Sequence, residues 1–296
     1  MLVILHALYL VFQLVRVAQH NRNEFECVHI LFFPILLGCM HFLRTACAPS
    51  LGLYFALTGK RLGSSDVMYA GLATHLLGGD APSTPLAEAL AAARPSDWEA
   101  TLSACGASVT TSQVEESSSL APLRAAIDEA FCMDGESAKL TLPSIVESLQ
   151  HQRESSDAVL AAYATESLQA LGASSTDGEP PRACPTSILA AFHGMRLAHE
   201  LAPPSSPLGS QEEANVTGLA QRAETARAVE LLVNGRLAAR ADFEEGVACT
   251  VGRKKGEKPQ WAPVCSAEVD AVREVALKLT SEGRLTLNGA RDELLL

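Results

Sequence analysis

General acid–base chemistry needs an imidazole or a carboxylate within hydrogen-bond reach of a second polar group. The sequence offers His75 just past Gly71, His193 and His199 six residues apart, and the adjacent pair Glu244 and Glu245. Neighbouring side chains on a helix leave in different directions, so Glu244 and Glu245 suit solvent better than a shared acid–base site. His75 reads as a packed or surface histidine at the edge of a turn. No Gly-x-Ser-x-Gly elbow surrounds Ser187 or Ser205, and without one His193 and His199 do not form a serine triad. The cations gather once, at Arg253-Lys254-Lys255 with Lys258 close behind. That run is too short for a polyanion stripe and long enough to hold one phosphate. The eight cysteines (27, 39, 47, 105, 132, 184, 249, 265) show no CxxC pair and no histidine at metal-ligand spacing. They read as buried free thiols of a reducing compartment, with no metal site.

The elements that must position these groups are mostly helical. Hydrophobic residues make up 48% of the 296 positions and aromatic ones only 5%, which favours small side chains packed between helices over a β-sandwich. A formal net charge of −11 repels phosphate backbones and excludes a nucleic-acid partner. Two apolar runs, 2–15 and 28–37, are each shorter than the roughly 20 residues that a spanning helix requires. The first lacks the basic start and small-residue cleavage site of a signal peptide and the arginines and serines of a transit peptide. A membrane contact would have to run through residues 1–37, and core or non-native sequence is the other reading of that stretch.

From Ala48 onward apolar residues recur at helical spacing. Residues 48–75 predict two helices, the first stopped by Gly59 and the second, from Val67 to Ala70, capped by Ser64-Ser65-Asp66 and stopped by Gly71. Further helices are expected at 85–93, 119–131, 142–152, 157–171, 186–201 and 211–233, with Thr186 and Ser187 capping one of them. Connectors rich in Gly, Pro and Ser fall at 78–84, 105–119, 172–185 and 202–210.

Several motifs then add a resemblance. Leu57-Thr58-Gly59-Lys60-Arg61-Leu62, Asp66, and Ala70-Gly71-Leu72-Ala73 look like the signature that follows the active-site core in the crotonase (enoyl-CoA hydratase/isomerase) superfamily, and Gly71-Leu72-Ala73-Thr74-His75 is closer to its hydrolase branch than to the hydratases. Cys184-Pro185-Thr186-Ser187, then Asp242-Phe243-Glu244-Glu245-Gly246-Val247, then Pro259-Gln260-Trp261, resemble in order and spacing the C-terminal part of 3-hydroxyisobutyryl-CoA hydrolases. The likeness runs from about Phe42 to about Ala276.

The resemblance implies a mainly α chain: the helical C-terminal portion of a crotonase-like α/β spiral fold, with most of the β-spiral core missing. It divides the chain into an apolar segment, 1–41, and a hydrolase-like region, 42–296. The parent activity it implies is thioester hydrolysis of 3-hydroxyisobutyryl-CoA in valine breakdown, in mitochondria, with no cofactor beyond the CoA of the substrate. The half of the family that supplies the oxyanion hole and the reacting Glu and Asp has no counterpart here, so no catalytic residue carries over and the chain alone is expected to be inactive. Where the family has Phe-Pro-Asp, this sequence has Phe33-Pro34-Ile35. Lys254 is the candidate substrate contact, since the superfamily sets cations near its C-terminus on the nucleotide end of CoA and phosphate rewards a point charge. Two other readings stand beside this one: a non-catalytic helical interaction module or membrane-associated fragment, and a hydratase or isomerase of the same superfamily. Loss of covering strands would leave apolar faces from Leu51 onward open to self-association.

Overall fold

The computed structural model describes residues 17–19, 25–26, 39–73, 75–77, 83–104, 107–108, 111–133, 140–173, 183–201, 216–250 and 252–294. The apolar runs 2–15 and 28–37 and the connector 202–210 lie outside them. The strands are β1 Val17–Gln19, β2 Phe25–Glu26, β3 Arg61–Leu62, β4 His75–Leu77 and β5 Ala107–Ser108. The first helices are α1 Cys39–Ala46, α2 Pro49–Thr58, α3 Ser64–Tyr69, α4 Ser83–Ala92, α5 Trp98–Ala104, α6 Thr111–Ser117 and α7 Arg124–Phe131. They are followed by α8 Leu142–Arg153, α9 Ala158–Ala170, α10 Pro185–Leu201, α11 Val216–Ala238, α12 Ala241–Thr250, α13 Ser266–Ser281 and α14 Leu287–Leu294. None of the described helices is long and apolar enough to cross a membrane.

The chain folds as two compact units, one of residues 1–26 and 61–124, the other of 27–60 and 125–296. In the first unit β4 pairs in parallel with β1 (Val17 opposite His75) and antiparallel with β5 (Leu76 opposite Ser108). β2 and β3 form a separate antiparallel pair, Phe25 opposite Leu62. In the second unit α2 is apolar on every side, and Ser50 through Leu57 are all buried. A helix of that kind belongs inside a core. It is covered by α1, α9 and α10. Its start is set by Pro49 in the first turn and its end by Gly59, at φ 60° and ψ 31°, whose N–H reaches the Phe55 carbonyl at 3.0 Å.

Gly52 lets α1 approach α2 closely, since a Cβ there would stand 2.8 Å from the Leu43 carbonyl oxygen. Backbone cannot swing away as a side-chain tip can. Gly52→Ala is therefore expected to destabilise the protein by about 1–3 kcal/mol, the usual cost of overpacking, measured by urea unfolding. No loss, or a gain from helix propensity, would contradict this close contact.

The two helices expected over 48–75 are present, with corrections around them. Extended backbone at β3 joins them, and His75 opens β4. Ser64, Ser65 and Asp66 do not cap the second helix from outside; they form its first turn, and Gly63 is the N-cap without a side-chain bond. Asp66 has a different task. Its carboxylate is buried and accepts from Ser118 Oγ (2.8 Å), Ser119 N (2.7 Å), Ser119 Oγ (2.8 Å) and Leu120 N (3.3 Å). The helix ends as expected at Gly71 (φ 77°): Leu72 N bonds Val67 O and Gly71 N bonds Met68 O, a Schellman pair.

Other expectations shift for similar reasons. The stretch 105–119 contains β5 and α6, because its serines serve Asp66 and a Ser117–Ser65 bond (2.9 Å) where a bare turn was expected. For the same reason the helix placed at 119–131 begins only at Arg124, after a 3₁₀ turn at Ala121–Leu123. Thr186 Oγ1 does not cap α10; it accepts from Cys265 N, 79 residues away, at 3.4 Å. Cys47, Cys184 and Cys249 are buried and outside any disulfide, whereas Cys132 is exposed. The apolar faces expected from Leu51 onward are covered: Leu51, Leu53, Phe55 and Leu57 are at most 1% exposed. The large exposed hydrophobic side chains among the described residues, Val159, Val264 and Leu277, are far apart in sequence.

Candidate functional site

The second unit collects most of the chemistry-bearing residues on α10, on α11 to α13, and on the basic turn after α12. Arg240, between α11 and α12, donates to both Asp242 (2.9 and 3.1 Å) and Glu268 at the start of α13 (2.8 Å). The bond to Glu268 and then that to Asp242 hold the guanidinium more firmly protonated than usual. Asp242 is buried and also accepts from Ala262 N at 2.6 Å. Glu245, one turn along α12, accepts from Lys254 Nζ at 2.6 Å, from Gln260 N at 3.0 Å and from the Cys249 thiol at 3.6 Å. The motifs Asp242–Val247 and Pro259–Trp261 thus meet because two carboxylates on one helix receive backbone N–H groups from the returning chain. Glu244 is exposed, so the adjacent pair does separate as helix geometry requires.

The turn that carries the cations is built on the carbonyls at the end of α12. Gly252 N bonds Val247 O (3.0 Å), Lys254 N bonds Ala248 O (2.9 Å) and Gly256 N, at φ 89°, bonds Cys249 O (3.1 Å). Cations there complement the negative end of the helix dipole. Lys254 is only partly exposed and its ammonium sits on Glu245. The hydrogen bond to Lys254, with that from Gln260, draws the Glu245 carboxyl below its usual range, while the bond to Glu245 raises Lys254. The signs fix a wide window: the pair persists from below ordinary glutamate titration to above ordinary lysine titration.

A groove open to solvent runs between α10, α11 and α13. Ala190, Leu197, Val233 and Val272 line it, with His193, Arg196 and Arg273 among its polar groups. Arg196 lies over the Phe192 ring at 5.6 Å and donates to Leu140 O at 2.7 Å, and Glu200 is 3.6 Å from it and 3.9 Å from Arg273. Burial, then the charge of Arg196, lowers the His193 pKa. A lowered histidine favours the neutral form, so this contribution is complete above the unfolded value near 6.5 and declines as pH falls below it. A fall in Tm below pH about 6.5 that His193→Asn removes is the expected result; an unchanged slope in the variant would contradict it.

His75 is a buried member of β4, in keeping with a packed histidine. His199 and His193 share α10 with no nucleophile between them. Among the described residues no group of His, Cys, Asp and Glu is arranged to hold a metal ion. The buried carboxylates Asp66 and Asp242 are occupied by backbone and hydroxyl donors or by Arg240. Their roles were hidden in the sequence because their partners lie 52 or more residues away for Asp66 and 20 away for Ala262.

A family model described as enoyl-CoA hydratase/isomerase matches residues 28–276. The crystal structure of a carnitinyl-CoA dehydratase from Mycobacterium thermoresistibile is 23% identical and superposes with a TM-score of 0.50. That match covers 87% of this chain and 61% of the neighbour, so the chain spans less than two thirds of the neighbour's length. No curated protein matches the chain. The fold is crotonase-like, and the chain belongs to the enoyl-CoA hydratase/isomerase family.

Proposed function

We propose that the chain binds acyl-CoA thioesters as an enoyl-CoA hydratase/isomerase family member, and that its described residues supply support and a phosphate-facing turn without the reacting groups. The family match over 28–276 carries this reading. Thioester or enoyl chemistry needs preorganised N–H donors at the carbonyl and a carboxylate free to act on water. Asp66, Asp242 and Glu245 are each engaged in holding the fold. The basic turn around Lys254 is the end that meets the nucleotide phosphates of CoA. The narrower reading, the C-terminal portion of a 3-hydroxyisobutyryl-CoA hydrolase with most of the β spiral absent, is supported by the ordered motifs and by strands of only two or three residues among those described. It carries with it a mitochondrial location. Calorimetric titration with coenzyme A tests the binding claim: saturable heat with one site per chain supports it, and no heat at low ionic strength contradicts it.

A further inference from the structure

Two cysteines of the second unit each open a helix, and one hydrogen bond draws those two openings together. Cys184 stands immediately before Pro185, the first residue of α10, and its carbonyl accepts Ile188 N at 3.1 Å to close the first turn. Cys265 is the N-cap of α13, and its side chain makes no capping bond. The Cys265 backbone N–H donates to Thr186 Oγ1 at 3.4 Å, across 79 positions of chain. Side chains on a helix lean toward its N-terminus, so the Thr186 hydroxyl lies over the turn that Cys184 begins, and Cys265 is held at that end of α10. Cys184 is buried, Cys265 is partly exposed, and neither is in a disulfide. One sulfur is therefore open to a solute and the other is shielded, which suits an attacked and a resolving thiol. Cys249 is engaged elsewhere: it donates to Glu245 at 3.6 Å, and burial pushes its thiol pKa up.

We propose that Cys184 and Cys265 are a reversible redox pair that, when oxidised by a peroxide, fastens the start of α10 to the start of α13. The Cys265 thiolate attacks one peroxide oxygen and the O–O bond breaks, leaving a sulfenic acid and a hydroxide that takes up the thiol's proton as water. The Cys184 thiolate then attacks Cys265 Sγ and the S–OH bond breaks. The departing hydroxide takes the second thiol proton as a second water, so two thiols lose two electrons and one peroxide gains them. A thiol reductant returns both electrons and reopens the bond, so in a reducing compartment the linkage is transient. Thr186 on α10 and Glu268 and Val269 on α13 line the groove between these helices, so the bond locks one end of that groove.

The test treats the intact, reduced chain with hydrogen peroxide, alkylates the remaining thiols and maps the tryptic peptides by mass spectrometry. Residues 183–196, with Cys184, and 256–273, with Cys265, are expected as one linked species that dithiothreitol separates, while 241–253 carries an alkylated Cys249. The oxidised chain is expected to melt about 5 °C or more above the reduced one, because closing a long loop restricts the unfolded chain. Cys184→Ser and Cys265→Ser should each abolish that difference, read between oxidised and reduced samples of the same variant so that the variant's own stability cancels. Both thiols alkylated after treatment, or either linked chiefly to another cysteine, would overturn the pair. Cys265 carried on to a sulfinic acid with Cys184 still alkylated would do the same, since the second sulfur would then be out of reach. A linked species that melts no higher than the reduced chain would overturn the fastening of α10 to α13.

Discussion

Asp66→Ala is expected to remove about 3–5 kcal/mol of stability, among the largest effects of any single substitution in the first unit. The carboxylate is 7% exposed and receives two hydroxyls and two backbone N–H groups from Ser118 to Leu120. Alanine strands the Ser118 hydroxyl and the Ser119 N–H, while the Leu120 N–H keeps Ser118 Oγ at 3.1 Å. Ser118 and Leu120 are themselves buried, so water cannot replace the lost acceptor without opening the segment. Asp66→Asn keeps one oxygen and sets an amide against the Ser119 hydroxyl, so it should lose roughly half as much. Urea unfolding, with hydrogen exchange at the Leu120 amide, measures both. A loss below about 1 kcal/mol for the alanine variant would show that these bonds are not what ties α3 to the segment after α6.

What could be read from the sequence follows the range of the interactions that decide it. Gly59 and Gly71 were legible as helix stops because a left-handed residue after an apolar run acts locally, and both have positive φ. The helices at 142–152 and 157–171 were legible to within a residue or two of their ends, Thr141 and Asp157 being local caps. Asp66 misled because a capping type in a capping position had a stronger offer from residues 52 to 54 positions away. The serines of 117–119 misled in turn, being read as loop residues when they are its donors. Helix α13 went unassigned, and α12 was read only at Glu244 and Glu245, because the acidic and basic residues at their ends are consumed in bonds between elements, such as Arg240 to Glu268, that leave no periodic trace.

Of the candidate site, the position of the basic turn was legible and the division of labour within it was not. Adjacent cations look alike in sequence, and only the nine-residue return to Glu245 distinguishes Lys254 from its neighbours.

The second large effect expected is an absence of turnover by the chain alone, lower than that of a complete catalytic unit by several orders of magnitude. Oxyanion donors and a reacting carboxylate act together, and binding energy at the nucleotide end cannot stand in for either, since it stabilises substrate and transition state alike. The most direct measurement is therefore a paired one on the purified chain: calorimetric binding of coenzyme A, and chromatographic turnover of crotonyl-CoA and 3-hydroxyisobutyryl-CoA. Saturable binding with turnover well below about 1 per second, a low enzymatic value, is the predicted result. Turnover above that value for either thioester would contradict the account.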